Sequence, residues 1–503
     1  MPKFIYFAGL FAVLQGAVFA NGPANEPVKT NSVLSAVKEE NTAALQKALA
    51  QHGDANEADI DGTSGLHWAV SEDRLEMVEA LLAAGANPNA KNVYGRTPLA
   101  IALDHSNAPL TSALLKAGAD PRMPLPGMGT ALIAAARTGS AAVINVLLKT
   151  GINVNEPERI YGQTALMWAA SEGHVEAVKA LLDGGADVKL KTTEEDLTAM
   201  FFAVRKGSIG VVEELLAAGA NINDRTETET LTGRDQGQVK VPGDSMVVLA
   251  IHNAHFNLAD FLLNKGADPN QAGVRWTPLH ALSRIRNYEE AQFPPPMARS
   301  GEMDSLELAR HLIAKGANVN AQAKTTTAKR PGTDQNYKDI LGATPFFLAA
   351  KSGDIPYMRL LLGAGADPSI ALDDHTTPLM FAAGIGCVTG QWIEQERDIL
   401  AAVKLLVEET HADVNAMNDD HETALHGGAC RSMDSVIQYL VDKGAKLNVK
   451  DADDQTPLEL AVQGLVRAST INGPKIATFH TEAHTIALLK KLTEAQGTQA
   501  ALH

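Results

Sequence analysis

The chain has 503 residues, 43 Lys and Arg against 59 Asp and Glu for a net charge of −16, and a hydrophobic share of 45%. That apolar content suffices for a large core and excludes a disordered acidic tail, while the acidic balance excludes nucleic acid as the main ligand, which needs a broad basic footprint. Two cysteines cannot build a disulfide-dense scaffold or a four-cysteine zinc site, so burial must supply the stability.

The chain opens with MPKFIYFAGLFAVLQGAVFA. Lys3 precedes an apolar stretch from Phe4 to about Leu14, and Val18 and Ala20 stand at the −3 and −1 places of a cut after Ala20. This is the layout of a secretory signal peptide over residues 1–20. The alternative is an uncleaved anchor, but the stretch is short for a membrane span and Gln15 interrupts it. Cleavage removes one charged group, Lys3, and leaves no later uncharged apolar run of spanning length. No cysteine lies near the cut and no Asn-x-Ser/Thr sequon occurs. The expectation is an exported, periplasmic chain, with secretion as the alternative. Residues 21–31 form a short linker.

Repetition governs the rest. The string Thr-Pro/Ala-Leu-x-x-Ala, with one or two substitutions, begins at Thr97, Thr130, Thr164, Thr198, Thr277, Thr344, Thr377, Thr423 and Thr456, and in looser form at Ser32, Ser64 and Ser245. A second string, close to Leu-Leu-x-x-Gly-Ala-Asp/Asn, follows most of them. The interval from Thr or Ser to that Gly is 21 residues in nine cases, from Ser32–Gly53 to Thr423–Gly444. Thr or Ser caps a helix N-terminus and Pro fits its first position. After a short break, Leu75, Val78 and Leu82 recur at i, i+3 and i+7 with Leu81 beside them, the pattern of an amphipathic second helix. Gly85 ends it, because glycine accepts the left-handed conformation cheaply. The Ala-Asn-Pro-Asn-Ala and Val93-Tyr-Gly-Arg96 that follow carry turn residues and lead to the next cap. Each unit therefore reads helix, turn, helix, extended turn, and neither helix is stable without a stacked neighbour.

On these strings the chain resembles the ankyrin-repeat family. Gly162-Gln-Thr-Ala-Leu-Met-Trp-Ala-Ala-Ser-Glu-Gly-His-Val-Glu-Ala-Val-Lys-Ala-Leu-Leu-Asp-Gly-Gly-Ala-Asp187 is similar to the family pattern almost residue by residue, and the resemblance covers roughly residues 30–495. It implies an all-α, ankyrin-repeat solenoid of about twelve helix-turn-helix units with hairpin-like fingers, binding another protein through its fingers and concave helix face. The His that often follows Thr-Pro-Leu in the family stands at His67, His280 and His426 but is Met167, Phe201, Phe347 or Met380 elsewhere, which suits packing between units. The first and last units are degenerate and read as solvent-facing caps.

Units one to six, residues 32–220, keep the strict period; units seven to twelve, residues 221–495, carry five insertions, and 496–503 form a tail. Gly219 to Ser245 is 26 residues and Gly316 to Thr344 is 28, against 11 to 13 elsewhere, so these two lengthen the fingers. Thr277 to Gly316 is 39, Thr377 to Thr410 is 33 with Thr410 where Gly is expected, and Thr456 to Leu492 is 36; these lengthen the turn within a unit. The within-unit inserts should share one edge and place Tyr288, Phe293, Pro294-Pro295-Pro296, Trp392 and Phe479 there. They serve either as binding anchors, since aromatics concentrate at hot spots, or as covers for apolar helix ends. Lys324, Lys329, Arg330 and Lys338 make the finger insert 321–340 locally basic, which suits an acidic partner or simple solvation.

Cys387 falls in the inserted turn of unit ten and Cys430 late in the first helix of unit eleven. An oxidising compartment favours a Cys387–Cys430 disulfide; two reduced, buried thiols are the alternative. His252/His255 and His480/His484 have helix-face spacing for two metal ligands without an evident third, and His421-Glu-Thr-Ala-Leu-His426 is one residue too long for the zinc motif. No phosphate loop, nucleophile elbow or separate catalytic domain is visible. The sequence thus points to a non-enzymatic scaffold without metal or cofactor. Its partner is a protein, and capped ends make a monomer the expected state. The alternatives are a metal-dependent or enzymatic factor with its site in the insertions, and a secreted host-directed effector.

Overall fold

The computed structural model describes residues 32–125, 127, 129–193, 196–231, 238–273, 276–286, 302–323, 341–385, 396–470 and 482–500. The chain divides into two compact bodies, Met1–Asp120 with units one to three and Pro121–His503 with units four to twelve.

The repeated Thr and Ser do cap helices. Ser32, Ser64, Thr97, Thr130, Thr164, Thr198, Ser245, Thr344, Thr377 and Thr423 all sit in extended backbone at the head of a unit's first helix. Unit five is representative: Ala165–Glu172 forms a helix of 8 residues and Val175–Asp183 one of 9. Helices below about 12 residues are marginal in water, so packing must hold them. Within each body, first helices pack on first helices and second on second, as Ala131–Thr138, Ala165–Glu172 and Ala199–Lys206 do in succession. Alanines make that close approach possible: Ala134, Ala135, Ala169 and Ala203 are fully buried against their neighbours. The core is therefore built from small side chains in layers.

Glycine is needed where two units meet. Gly139 ends its helix at φ 77°, and a Cβ there would lie 2.7 Å from the ring of His174 in the next unit. Steric room and the left-handed conformation select the same residue. Two units depart from the expected terminator. In unit one the left-handed residue is His52, with Gly53 one place later; in unit ten it is His411, so the glycine place is filled one residue past Thr410. The cause in unit one is a second helix, Thr42–Ala50, that ends one residue early relative to its cap. Histidine is among the few residues that tolerate this region.

Two sets of hydrogen bonds run from unit to unit. The first belongs to the buried histidines. His67 Nδ1 accepts the Ser64 N–H at 3.1 Å, which leaves Nε2–H to donate to the Arg96 carbonyl ahead of the next unit, at 3.0 Å. His426 repeats this with Thr423 and the Gln455 carbonyl, and His280 with the Thr277 hydroxyl and the Ala343 carbonyl. Where Met167 and Met380 replace histidine, sulfur accepts the cap N–H at 3.5 Å and no bridge to the next unit is possible from that side chain. The second set is an asparagine clamp that sequence reading missed. Asn320 donates Nδ2–H to the Gly365 carbonyl, and its Oδ1 accepts the Asp367 N–H. Asn56, Asn89, Asn155, Asn270 and Asn415 do the same for the finger that follows each.

The insertion after Gly219 forms an antiparallel hairpin, Arg225–Leu231 with Gln238–Ser245, in the register Thr228 to Val241 and with an irregularity between Arg225 and Glu227. It is the lengthened finger expected there. The base of the unit-eight insertion is fixed differently. Arg286, on the last described turn of Pro278–Arg286, donates Nε–H and a terminal N–H to the Asp354 carboxylate at 2.6 and 2.9 Å, and another N–H to Ser305 Oγ at 2.7 Å. Asp354 in turn caps Ile355–Gly363 through the Tyr357 N–H. The Tyr357 ring lies beneath the guanidinium, and its hydroxyl donates to the Leu279 carbonyl. Burial pushes that hydroxyl's pKa well up, so it stays a donor.

Two outcomes follow from this packing. Burial depresses the His280 pKa from 6.5 to about 4. The unfolded chain therefore binds the proton first, and the stability held by neutral His280 is complete above pH 6.5 and lost as pH falls toward 4. Urea denaturation of the wild type and His280→Met at pH 7.5 and 4.5 should show the wild type losing about 2–3 kcal/mol more than the variant on acidification. The second concerns the buried pair. Asp354→Asn leaves a buried guanidinium unpaired and should cost about 3–5 kcal/mol in the same assay, with the Arg286→Met/Asp354→Asn double variant recovering part of the loss.

Candidate interaction surfaces

Finger geometry is set by short side chains that hydrogen-bond their own turn. Asn92 Oδ1 accepts the Tyr94 and Arg96 N–H groups at 3.1 and 3.0 Å, and Asp61 Oδ1 accepts the Thr63 N–H at 2.9 Å. Those bonds to Thr63 hold the Asp61 carboxyl below the usual carboxylate range. Adjacent tips are tied by Val93 N–H to the Asp61 carbonyl, at 2.8 Å. With the backbone fixed, the side chains at the apex face water. In the first body Ile60 is fully exposed, Val93 70% and Tyr94 68%. In the second body Ile160 is 72% and Tyr161 48% exposed, on a finger whose Glu158 carboxylate accepts the Ile160, Tyr161 and Gln163 N–H groups. Paired apolar residues on rigid turns are candidate anchors for a partner.

The face of the first helices forms the other candidate surface. Four residues after the cap stand the half-buried Trp68 and Trp168 and the buried Phe202 and Phe381, each under a cation: Lys38 at 5.3 Å, Arg137 at 5.1 Å, Arg205 at 5.3 Å and Lys351 at 5.3 Å. The two tryptophans differ in one respect. Trp68 donates its indole N–H to Asp59 Oδ2 at 2.9 Å, whereas the buried Trp168 Nε1 has no hydrogen-bond partner among the described residues. The unit-five finger is one residue longer: Asp59 N–H pairs with the Thr63 carbonyl, but Glu158 N–H pairs with that of Gln163. Glu158 takes the place of Asp59 in the ladder, and its carboxylate is occupied by the turn.

Of the residues singled out from sequence, Tyr288, Phe293, Trp392, Lys329, Arg330 and Cys387 lie outside the described residues, as do residues 1–31, Pro294–Pro296 and Phe479. Cys430 lies half-buried in Ala424–Arg431, late in the first helix of unit eleven as expected. Of the histidine pairs, His252 Nδ1 faces Asp244, His255 Nε2 donates to the Arg205 carbonyl, and His484 faces Asp434, while His480 lies outside the described residues. Among the described residues no three His, Cys, Asp or Glu side chains gather closely enough to hold a metal ion, and no helix is long and apolar enough to cross a membrane. Ile60, Val93, Tyr94, Ile160 and Tyr161 were legible in principle. Each is an apolar residue placed between turn formers, where solvent is the only neighbour a tight turn offers.

The family described as ankyrin repeats (3 copies) matches residues 33–124, 113–192, 132–226 and 394–469, and the single ankyrin repeat matches 341–373, together more than half of the chain. Alpha-latroinsectotoxin-Lt1a of Latrodectus tredecimguttatus is 28% identical over 158 residues, 31% of this chain and 9% of the toxin. Human neurogenic locus notch homolog protein 1 is 30% identical over 160 residues, 31% of this chain and 6% of that protein. The chain thus spans less than a tenth of the length of these relatives. Among solved structures, the human ASB11 ankyrin repeat domain is 27% identical, covering 40% of this chain and 87% of that one at a TM-score of 0.35. The chain belongs to the ankyrin-repeat family.

Proposed function

We propose that the protein is an exported, non-enzymatic scaffold that recognises a protein partner through its fingers, first-helix face and inserted loops. The observation that carries this reading is the set of apolar apices, Ile60, Val93 and Tyr94 on one body and Ile160 and Tyr161 on the other, held out on hydrogen-bonded turns. A preformed surface of this kind limits the ordering cost of association. Tyrosine adds a large contact area and a hydroxyl at little entropic cost. The signal-like residues 1–20 support export, with the periplasm as the proposed destination and secretion toward a host as the second.

Export also bears on the two cysteines. Ile385, two residues before Cys387, runs against Gly427: a Cβ on Gly427 would lie 2.7 Å from the Ile385 nitrogen. Gly427 is one helical turn before Cys430, on the same face. A Cys387–Cys430 disulfide is the proposed state in an oxidising compartment, pinning the unit-ten insertion to unit eleven.

Affinity capture from the native extract tests the scaffold reading. The full chain should retain a stoichiometric partner that the Ile60→Asp/Tyr94→Ala/Tyr161→Ala variant loses, with unchanged circular dichroism and melting temperature. Retention by that variant, with loss on cutting Tyr288, Phe293 and Trp392 to Ala, would move the site from the regular fingers to the insertions. No specific partner for the wild type would contradict the reading.

A further inference from the structure

Two positions near the end of each first helix, seven and eight residues after the cap, show a change of sign along the sequence. In units one to three they hold Glu39, Glu40, Glu72 and Asp104 and no Lys or Arg. In units four to nine they hold Arg137, Arg205, Lys206, Arg284 and Lys351 against the single carboxylate Glu172. Because the first helices of the second body pack side by side, residues at one offset from the cap fall into a row. Every residue at these positions in units four to nine is exposed or half-exposed. In a chain of net charge −16 this is a local inversion.

His252 occupies the unit-seven position and faces Asp244, and Asp354 beside the row is committed to Arg286. Arg137, Lys206 and Arg284 make no ion pair with the described residues. Arg137 and Arg205 lie over Trp168 and Phe202, which restrains their long side chains and reduces the entropy lost when an anion arrives.

We propose that this row binds an acidic polypeptide segment in the extended, polyproline-type conformation, with a carboxylate at every third residue. Packed helices lie about 8–10 Å apart. A polyproline helix advances about 3.1 Å per residue with three residues per turn, so every third side chain returns to the same face about 9 Å further on. That period brings one carboxylate past each unit, and those at units four, six, eight and nine meet Arg137, Arg205 and Lys206, Arg284 and Lys351. A nucleic-acid strand carries phosphates at a closer spacing and meets the chain's overall negative field, so peptide is the occupant favoured. The inference rests on the scaffold reading and names the chemistry of one partner surface.

The test is fluorescence anisotropy of a labelled six-repeat Glu-Pro-Pro peptide with the full-length protein at low salt. Binding is expected, weakening as salt rises. The Arg137→Gln/Lys206→Gln/Arg284→Gln variant should bind about tenfold or more weakly at an unchanged melting temperature. Two controls should tell position from charge: Lys149→Gln/Lys189→Gln/Lys315→Gln should keep wild-type affinity, and a peptide with the same six Glu clustered at one end should bind more weakly. Equal loss in both variants, equal binding of the clustered peptide, no binding, or tighter binding of oligothymidylate would each overturn the proposal. Persistence of finger-dependent partner capture alongside any of those results would leave the scaffold reading standing while this inference fell.

Discussion

The constraint on which the structure depends is that no unit is stable alone. A helix of 8 residues followed by one of 9 cannot bury its apolar stripe against itself, so each layer of Ala, Leu and Val is completed only by its neighbour. Stacking of small side chains would tolerate sliding. What fixes the register is directional: a histidine fixed as the Nε2–H form by its own cap, and an asparagine whose side-chain amide donates one N–H to the following finger and accepts one from it. Both bonds end on backbone, so they constrain position while leaving the exposed side chains free to vary.

That division of labour explains how a repetitive chain can present a specific surface. The bridging asparagines sit at the base of their fingers and the bridging histidines at the head of their first helices, whereas Ile60, Tyr94, Ile160 and Tyr161 sit at the apices, and Arg137, Lys206 and Arg284 near the helix ends. Apex and row side chains are exposed or half-exposed, so substitution there leaves the layers in place. Substitution of Asn320 or His280 acts on the layers themselves. In unit eight Arg286, the last described residue before the insertion, is held by a buried bidentate pair with Asp354.

Much of the architecture was legible because the period is carried by residue types with one physical role each. Thr and Ser cap, Pro starts, Gly reverses, and these recur at a fixed interval. The conformational details were less so. His52 and His411 take the left-handed place because helix length decides where a chain turns, and length is set by packing that a string does not display. The asparagine clamp was hidden by ambiguity: Asn in a turn reads as a turn former, and its second function appears only when the next unit's carbonyl and amide are in place. Aromatics in the longest insertions are conspicuous in the sequence, whereas the exposed apices of the regular fingers read there as simple turns. The basic row is scattered along the chain and shares only its offset from the caps.

Native-state hydrogen exchange tests the central claim most directly. The account predicts that the Asp367 and Asn318 amides, although close to the surface, are protected in the wild type, because each donates to the asparagine of the preceding unit. In Asn320→Ala the Asp367 amide should exchange faster by an amount equivalent to about 1–2 kcal/mol, with smaller increases spreading through units eight and nine. Unprotected amides at both positions in the wild type, or an Asn320→Ala variant with an unchanged exchange pattern, would contradict the claim that these bridges hold the units in register.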